Sequence, residues 1–160
     1  MTTRLNLQEA TAQIYRRMGA LEQAVQEASL EAGIEPALYD LIKIRASQIN
    51  GCAFCLDMHS QDATAAGEDE RRIHTLSAWR ETTFFTDAER AALALTEQIT
   101  RINEFGVSDE VWAQAERQFD KAQLAVLVWA IVAINAWNRM AISTGFPEPG
   151  SYHRKSVAAD

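Results

Sequence analysis

Apolar residues along this chain recur at alternating steps of four and three, the period of one helical face. Leu7, Thr11, Ile14, Met18, Leu21, Val25 and Ala28 keep that step, and Asn6 with Glu9 has the spacing of a capping box. The pattern predicts one long amphipathic helix with a seam against a partner, ended by Gly33. Pro36 suits a first helical position. A second helix is expected from about Pro36 to Asn50, with Leu38, Leu41, Ile42, Arg45 and Ile49 on one face. Asn50-Gly51 is a break signal, so Cys52 is expected at the start of a third helix that reaches Ala66 and stops at Gly67.

A short helix is expected over Glu68 to Leu76, followed by a bend or single turn through Ser77-Ala78-Trp79-Arg80-Glu81. Thr86 with Glu89 makes another capping box, and Ala88, Ala92, Leu95, Ile99 and Ile102 mark a helix to about Glu104. Gly106 separates it from a helix capped by Ser108, with Val111, Trp112, Ala115 and Phe119 inward. Asp120 caps the last helix, Lys121 to about Thr144, which Pro147, Pro149 and Gly150 end; the tail beyond is expected to be extended or frayed. No strand alternation occurs along the chain. The expectation is an all-α single domain over 1–160, with 145–160 as an extended tail.

Composition changes this picture little: 48% of residues are apolar and 23% charged, with only 7 Gly and 3 Pro to make turns. A net charge of -7 without a block of basic residues disfavours nucleic acid and anionic membrane as partners. The start of the chain has no apolar signal-peptide core, and the most apolar run, Leu124 to Ile134, reads as a buried helix too short for a bilayer. The expectation is a cytoplasmic protein. There a close thiol pair is a catalytic or metal-binding feature more often than a staple.

The two cysteines of the chain, Cys52 and Cys55, stand one helical turn apart, and His59 follows Cys55 by four. A helix start lowers the thiol pKa at Cys52 below its usual value of about 8.5, and His59 is placed to take a proton from Cys55. The spacing does not say which thiol attacks first. A redox-active dithiol is the leading reading. Alternatives are a zinc site of Cys52, Cys55 and His59 completed by His74, His153 or an acid, or two cysteines packed as small apolar groups. Covalent haem attachment is excluded, because Leu56 and not His follows Cys55. His74 and His153 read as solvated or capping residues, Arg71-Arg72 as a solvated face, and Trp79, Trp112, Trp129 and Trp137 as core or interface anchors. Arg139 calls for a carboxylate partner or the helix C-terminus.

Asp40 to His59, with Ile-Asn-Gly-Cys-Ala-Phe-Cys and Asp57-Met58-His59, resembles the AhpD-like alkylhydroperoxidase family of the carboxymuconolactone decarboxylase superfamily. The likeness extends through Ser77 to Thr82 and includes Ile134-Asn135-Ala136-Trp137-Asn138-Arg139. It implies a helical bundle of about six to eight helices that assembles as a homotrimer or homohexamer and uses no metal or organic cofactor. It also implies reduction of a hydroperoxide, with Cys55 attacking, Cys52 resolving, His59 in a proton relay and an external dithiol or protein reductant restoring the pair. The exposed helix start at Cys52 is expected to suit that exchange. The relay acid, normally Glu, falls on Asp40, one methylene shorter, so a direct contact with His59 is lost or bridged by water. An alternative role for Asp40 is a first-turn acid paired with Lys43. The first helix and the Trp-rich last helix are the expected subunit contacts. Other function classes are a non-enzymatic redox sensor or interaction protein, and a lactone-decarboxylase-like enzyme, a branch that generally lacks the C-x-x-C.

Overall fold

Residues Pro36–Asn50 form the helix around which the rest is arranged, and nine of its fifteen residues are buried. This helix is α3 in a computed structural model that describes residues 3–103 and 106–154. Leu7–Ala10 (α1) and Ala12–Glu31 (α2) precede it; Ala53–Ala65 (α4), Glu70–Thr75 (α5) and a 3-10 segment, Leu76–Glu81, follow. Asp87–Thr100 (α6), Asp109–Glu116 (α7) and Lys121–Thr144 (α8) complete the order, and no strand occurs among the described residues. The fold is all-α. Helices α4, α6 and α8 all pack on α3, while α2 lies against α8 and α7 against α6.

Burial on every side explains why α3 is apolar around much of its circumference. Leu38 and Ile42 join Leu95, Leu127 and Ile131 in one core, and Leu41 and Ile44 join Leu76, Trp79 and Leu93 in a second. Each such side chain contributes about 1.5–3 kcal/mol by leaving water. Between α3, α4 and α8, a third and smaller cluster contains Ala46, Ile134, Ala141 and both cysteines.

Most predicted boundaries coincide with caps. Thr86 with Glu89 and Asp120 with Gln123 form complete capping boxes, and Ser108 accepts from the Val111 N–H. The expected first helix is instead two. Asn6 caps a single turn, and Thr11, at φ -141°, breaks the run while its hydroxyl bonds back to the Leu7 carbonyl. Ile14, assigned to the seam, is 70% exposed. Helix α6 stops at Thr100, so Ile102 is exposed, and the predicted end at Glu104 lies outside the described residues. Trp112 was expected inward but is exposed, its indole N–H donating to Glu116 on the surface of α7.

The apolar run Leu124–Ile134 also needs correcting. It belongs to a helix of 24 residues that is long and apolar enough, by length and composition, to cross a membrane. Ten of its residues are buried inside this fold, and Trp129, Val132 and Ile142 stay exposed. The tail is not frayed as far as Arg154. Tyr152 turns back to donate to Asp62 (2.7 Å) and meets Phe54 edge-on. Arg72 is likewise more than a solvated charge: it pairs with Glu68 and Glu89 and donates to the Phe84 carbonyl, tying α5 to the start of α6.

One buried ionic group braces the scaffold. Arg45 on α3 donates to Glu97 on α6 through Nε (2.9 Å) and Nη2 (2.7 Å). The Trp79 indole (2.9 Å) and Arg80 (2.7 Å) also donate to Glu97, so both carboxylate oxygens are bonded. Despite burial, hydrogen bonds from Trp79, Arg80 and Arg45 hold the Glu97 carboxyl below the usual range.

Candidate active site

The turn that carries the cysteines is fixed from α8. Asn50, the last residue of α3, donates to Asn135 (2.9 Å) and Asn138 (2.8 Å), and Asn138 donates to Ser47 (3.0 Å). Gly51 then takes a left-handed conformation, φ 73°, which L side chains rarely adopt. Cys52 follows as N-cap of α4, and its sulfur accepts from the Cys55 N–H at 3.4 Å. Cys52 and Cys55 are joined as a disulfide with Cα atoms 5.4 Å apart.

Helical spacing sets the rest of the site. Cys55, Met58, His59 and Asp62 lie on one face of α4, and Tyr39, Asp40 and Lys43 on one face of α3. The two faces look into a common cavity of about 590 Å³. Helix α2 adds Tyr15 and Glu22, α8 adds Trp137 and Met140, and the tail closes the wall with Phe146, Pro147 and Arg154. Cys55, His59 and Asp40 therefore share one enclosure. Cys52 does not line it; it lines a second, small recess of about 70 Å³ with Ala141 and Pro147.

The expected exposure of Cys52 is overturned. It is 1% exposed, because it packs in the cluster of Ala46, Ile134 and Ala141, with Phe54 and Trp137 against it. Burial drives the His59 imidazole down to about 3, with the nearby Lys43 charge acting the same way, so His59 is neutral at ordinary pH. Burial pushes Asp40 up to about 6; Lys43 opposes the rise, and Asp62 and Glu68 add to it. Among the described residues no hydrogen bond joins Asp40 to His59. The shorter acid shares the cavity with the imidazole without a hydrogen bond to it among the described residues.

Lys43 does not pair with Asp40. It forms an ion pair with Glu22 and lies over the Tyr39 ring at 4.2 Å from the centroid, and the Tyr39 hydroxyl donates to the same Glu22 oxygen at 3.2 Å. Burial and the Glu22 carboxylate raise the Tyr39 phenol well above its usual range. Glu22 was not singled out from sequence, and Lys43 was considered there only as a pair for Asp40. A Lys amid the apolar positions of α3 was the available signal, since a buried ammonium needs a carboxylate. Among the described residues Arg139 pairs with no carboxylate: it donates to the Asn135 carbonyl (3.1 Å) and Oδ1 (2.7 Å) one turn back. His74 and His153 are exposed, as expected for solvated residues. No group of three or more His, Cys, Asp or Glu among the described residues could hold a metal ion.

Comparison with known proteins shows the family and the fold. The model of the carboxymuconolactone decarboxylase family matches residues 12–98. YdfG of Bacillus subtilis is 41% identical over 145 residues, covering 91% of this chain and 96% of YdfG. A crystal structure from Agrobacterium tumefaciens, of unknown function and linked to antioxidant defence as AhpD, superposes with a TM-score of 0.84 at 36% identity, covering 96% of this chain and 99% of that one. The debrominase Bmp8, bound to 2,3,4-tribromopyrrole, shares the fold at 17% identity and a TM-score of 0.75, over 86% of this chain and 71% of Bmp8. The chain belongs to the carboxymuconolactone decarboxylase family and is AhpD-like.

Proposed function

We propose that this protein reduces organic hydroperoxides through the Cys52–Cys55 pair, as an antioxidant enzyme of the cytoplasm working as a homotrimer or homohexamer. The observation that carries the reading is the division of the two sulfurs. Cys55 opens onto the cavity that holds His59 and Asp40, whereas Cys52 lies behind it at the helix N-terminus.

In the reduced protein, neutral His59 accepts the Cys55 thiol proton, and Asp40 in its ionised form stabilises the imidazolium across the cavity. The Cys55 thiolate attacks the outer peroxide oxygen. The O–O bond breaks, the proton passes to the leaving alkoxide, and the products are an alcohol and Cys55 sulfenic acid. Cys52, whose sulfur already sits against the Cys55 N–H, attacks that sulfenic sulfur and expels water, giving the disulfide seen here. An external dithiol then reduces the pair by two thiol–disulfide exchanges and leaves as its own disulfide.

The test is direct. Reduced protein is mixed with cumene hydroperoxide, loss of thiols is followed, and dihydrolipoamide is added. Repeated turnover, abolished by Cys52→Ser and by Cys55→Ser, is expected. A single oxidation without turnover would replace the enzyme by a redox sensor.

A further inference from the structure

We infer that Tyr152 is a latch: by donating to Asp62 it straps residues 146–154 across the mouth of the Cys55 cavity, and bulky hydroperoxides reach Cys55 only when that strap swings off α4. The mouth is located by the exposure of the wall. Cys55 (3%), His59 (8%) and Ile134 (1%) are buried. Among the described lining residues the exposed ones are Gln26 towards the end of α2, Ala66 at the end of α4 and Arg154 in the tail. Asp62, half-buried, stands beside Arg154. The cavity therefore meets solvent where the tail passes the ends of α2 and α4.

The tail has a fixed root, a corner and a lightly held outer part. At the root the Arg4 N–H donates to the Thr144 carbonyl (2.7 Å), the Thr3 hydroxyl donates to Glu148 (2.9 Å), and the Phe146 ring packs on Tyr15. Pro149 and Gly150, the latter at φ 80°, then make a turn closed by the Ser151 N–H on the Glu148 carbonyl (3.1 Å). Beyond the corner the holds converge on Asp62. The Tyr152 hydroxyl donates to its Oδ1 at 2.7 Å, and Arg154 lies 3.7 Å from the same oxygen. Tyr152 also meets Phe54 edge-on. An ion pair as exposed as that of Arg154 holds little, so Tyr152 carries the attachment. Burial and the bond to Asp62 push its phenol up to about 12, so the donor keeps its proton. The other walls belong to helices packed on one another, whereas a segment held at its edge opens first.

The consequence is selection by width. At about 590 Å³ the cavity holds a ring system, yet Cys55 is almost wholly buried, so entry and not volume is the restriction. Arg154 and Asp62 offset each other at the mouth and Gln26 is neutral, so charge does little of the sorting. The inference rests on the hydroperoxide reading for the substrate, while its test reads access to Cys55 alone.

Reduced full-length protein is treated with N-ethylmaleimide and with N-(1-pyrenyl)maleimide, which carry one reactive group on bodies of different width. Alkylation of the Cys55 peptide is followed by mass spectrometry, and each rate is divided by that with free glutathione. The parent is expected to react more slowly with the pyrenyl reagent. In Tyr152→Phe the pyrenyl rate is expected to rise about fivefold, the weight of one partly exposed hydrogen bond on the opening equilibrium, and the N-ethylmaleimide rate to stay within about twofold. Tyr152→Ala, which also loses the contact with Phe54, should raise the pyrenyl rate further. Equal normalised rates in the parent overturn the inference, as does a ratio that neither variant moves. A rise of the same size for both reagents also overturns it, since the tail would then support the site without sorting what enters. If the ratio moves as expected but cumene hydroperoxide is never turned over, the peroxidase reading fails and the latch stands.

Discussion

Two carboxylates meet helix α3 from opposite neighbours, and they are held in opposite ways. Glu97, from α6, receives donors from Arg45, Trp79 and Arg80 and leaves neither oxygen unbonded. Glu22, from α2, shares one oxygen between Lys43 and Tyr39 and leaves the other buried without a hydrogen-bond partner among the described residues. Asp40, beside it, is also half-buried and carries a raised pKa rather than a lowered one. Burial alone does not separate scaffold from site. Saturation of the hydrogen-bonding capacity does: a completed group resists change, and an incomplete one keeps the capacity for a proton.

The largest effect should come from breaking the completed group. Glu97→Ala leaves Arg45 charged and buried, and a loss of about 3–5 kcal/mol in urea unfolding is expected; a loss under 1 kcal/mol would show that the cluster is not a brace. At the incomplete site the same kind of removal should act on rate. Asp40→Asn is expected to slow hydroperoxide-driven thiol oxidation by about 100-fold, the scale of one acid–base group, without loss of stability at pH 8. Asp40→Glu should leave the rate equal or higher, and a marked fall would show that the site is tuned to Asp.

The two groups should also answer pH with opposite signs. The Glu97 carboxyl is held low, so its stabilisation is present above the ordinary carboxylate range and is lost as pH falls through the depressed value. The Asp40 carboxyl is held high, at about 6, so the folded state binds its proton more tightly than the unfolded chain. That contribution is fully present below the unfolded value and is lost as pH rises from about 4 through about 6. Subtracting the unfolding free energies of Glu97→Gln and Asp40→Asn from the parent across pH 3–8 should give two curves of opposite slope. The oxidation rate of the parent should climb through about pH 6 as Asp40 ionises, and that step should be missing in Asp40→Asn. His59, neutral down to about 3, adds no step in this range. The smallest expected effect lies at the tail: Tyr152→Phe removes its bond to Asp62 and should cost about 1 kcal/mol or less, measured as a slight fall in Tm.

How much of this was legible in the sequence depends on range. Caps and periodicity are local, so α3 was placed at its observed limits, Pro36 and Asn50, and the starts of α6, α7 and α8 followed Thr86, Ser108 and Asp120. Thr11 defeated the same reasoning because its hydroxyl competes with the helix it was assigned to. The gathering of Asp40, Cys55 and His59 was readable because all lie within twenty residues on two consecutive helices. Glu22 was not: it reaches Lys43 from a separate helix across twenty-one positions, and spacing within one element carries no trace of that meeting. The burial of Cys52 was missed for the same reason, since Ile134 and Ala141, which pack with it, arrive from the last helix.

The turn before the thiols also bears on how the protein ages. Asn followed by Gly is the dipeptide most prone to lose its side-chain amide, because the unshielded Gly nitrogen can attack the Asn carbonyl and close a five-membered ring. At Asn50-Gly51 both reacting groups are occupied: the amide is held by Asn135 and Asn138, and the Gly51 N–H is bonded to the Ser47 carbonyl. The folded chain thus shields its own weakest dipeptide. Once the amide is lost, a carboxylate would face two amide oxygens that had accepted from it, and the bonds that fix the turn before Cys52 would be lost. The lifetime of the redox site is then tied to the time the chain spends unfolded rather than to the number of times the disulfide forms.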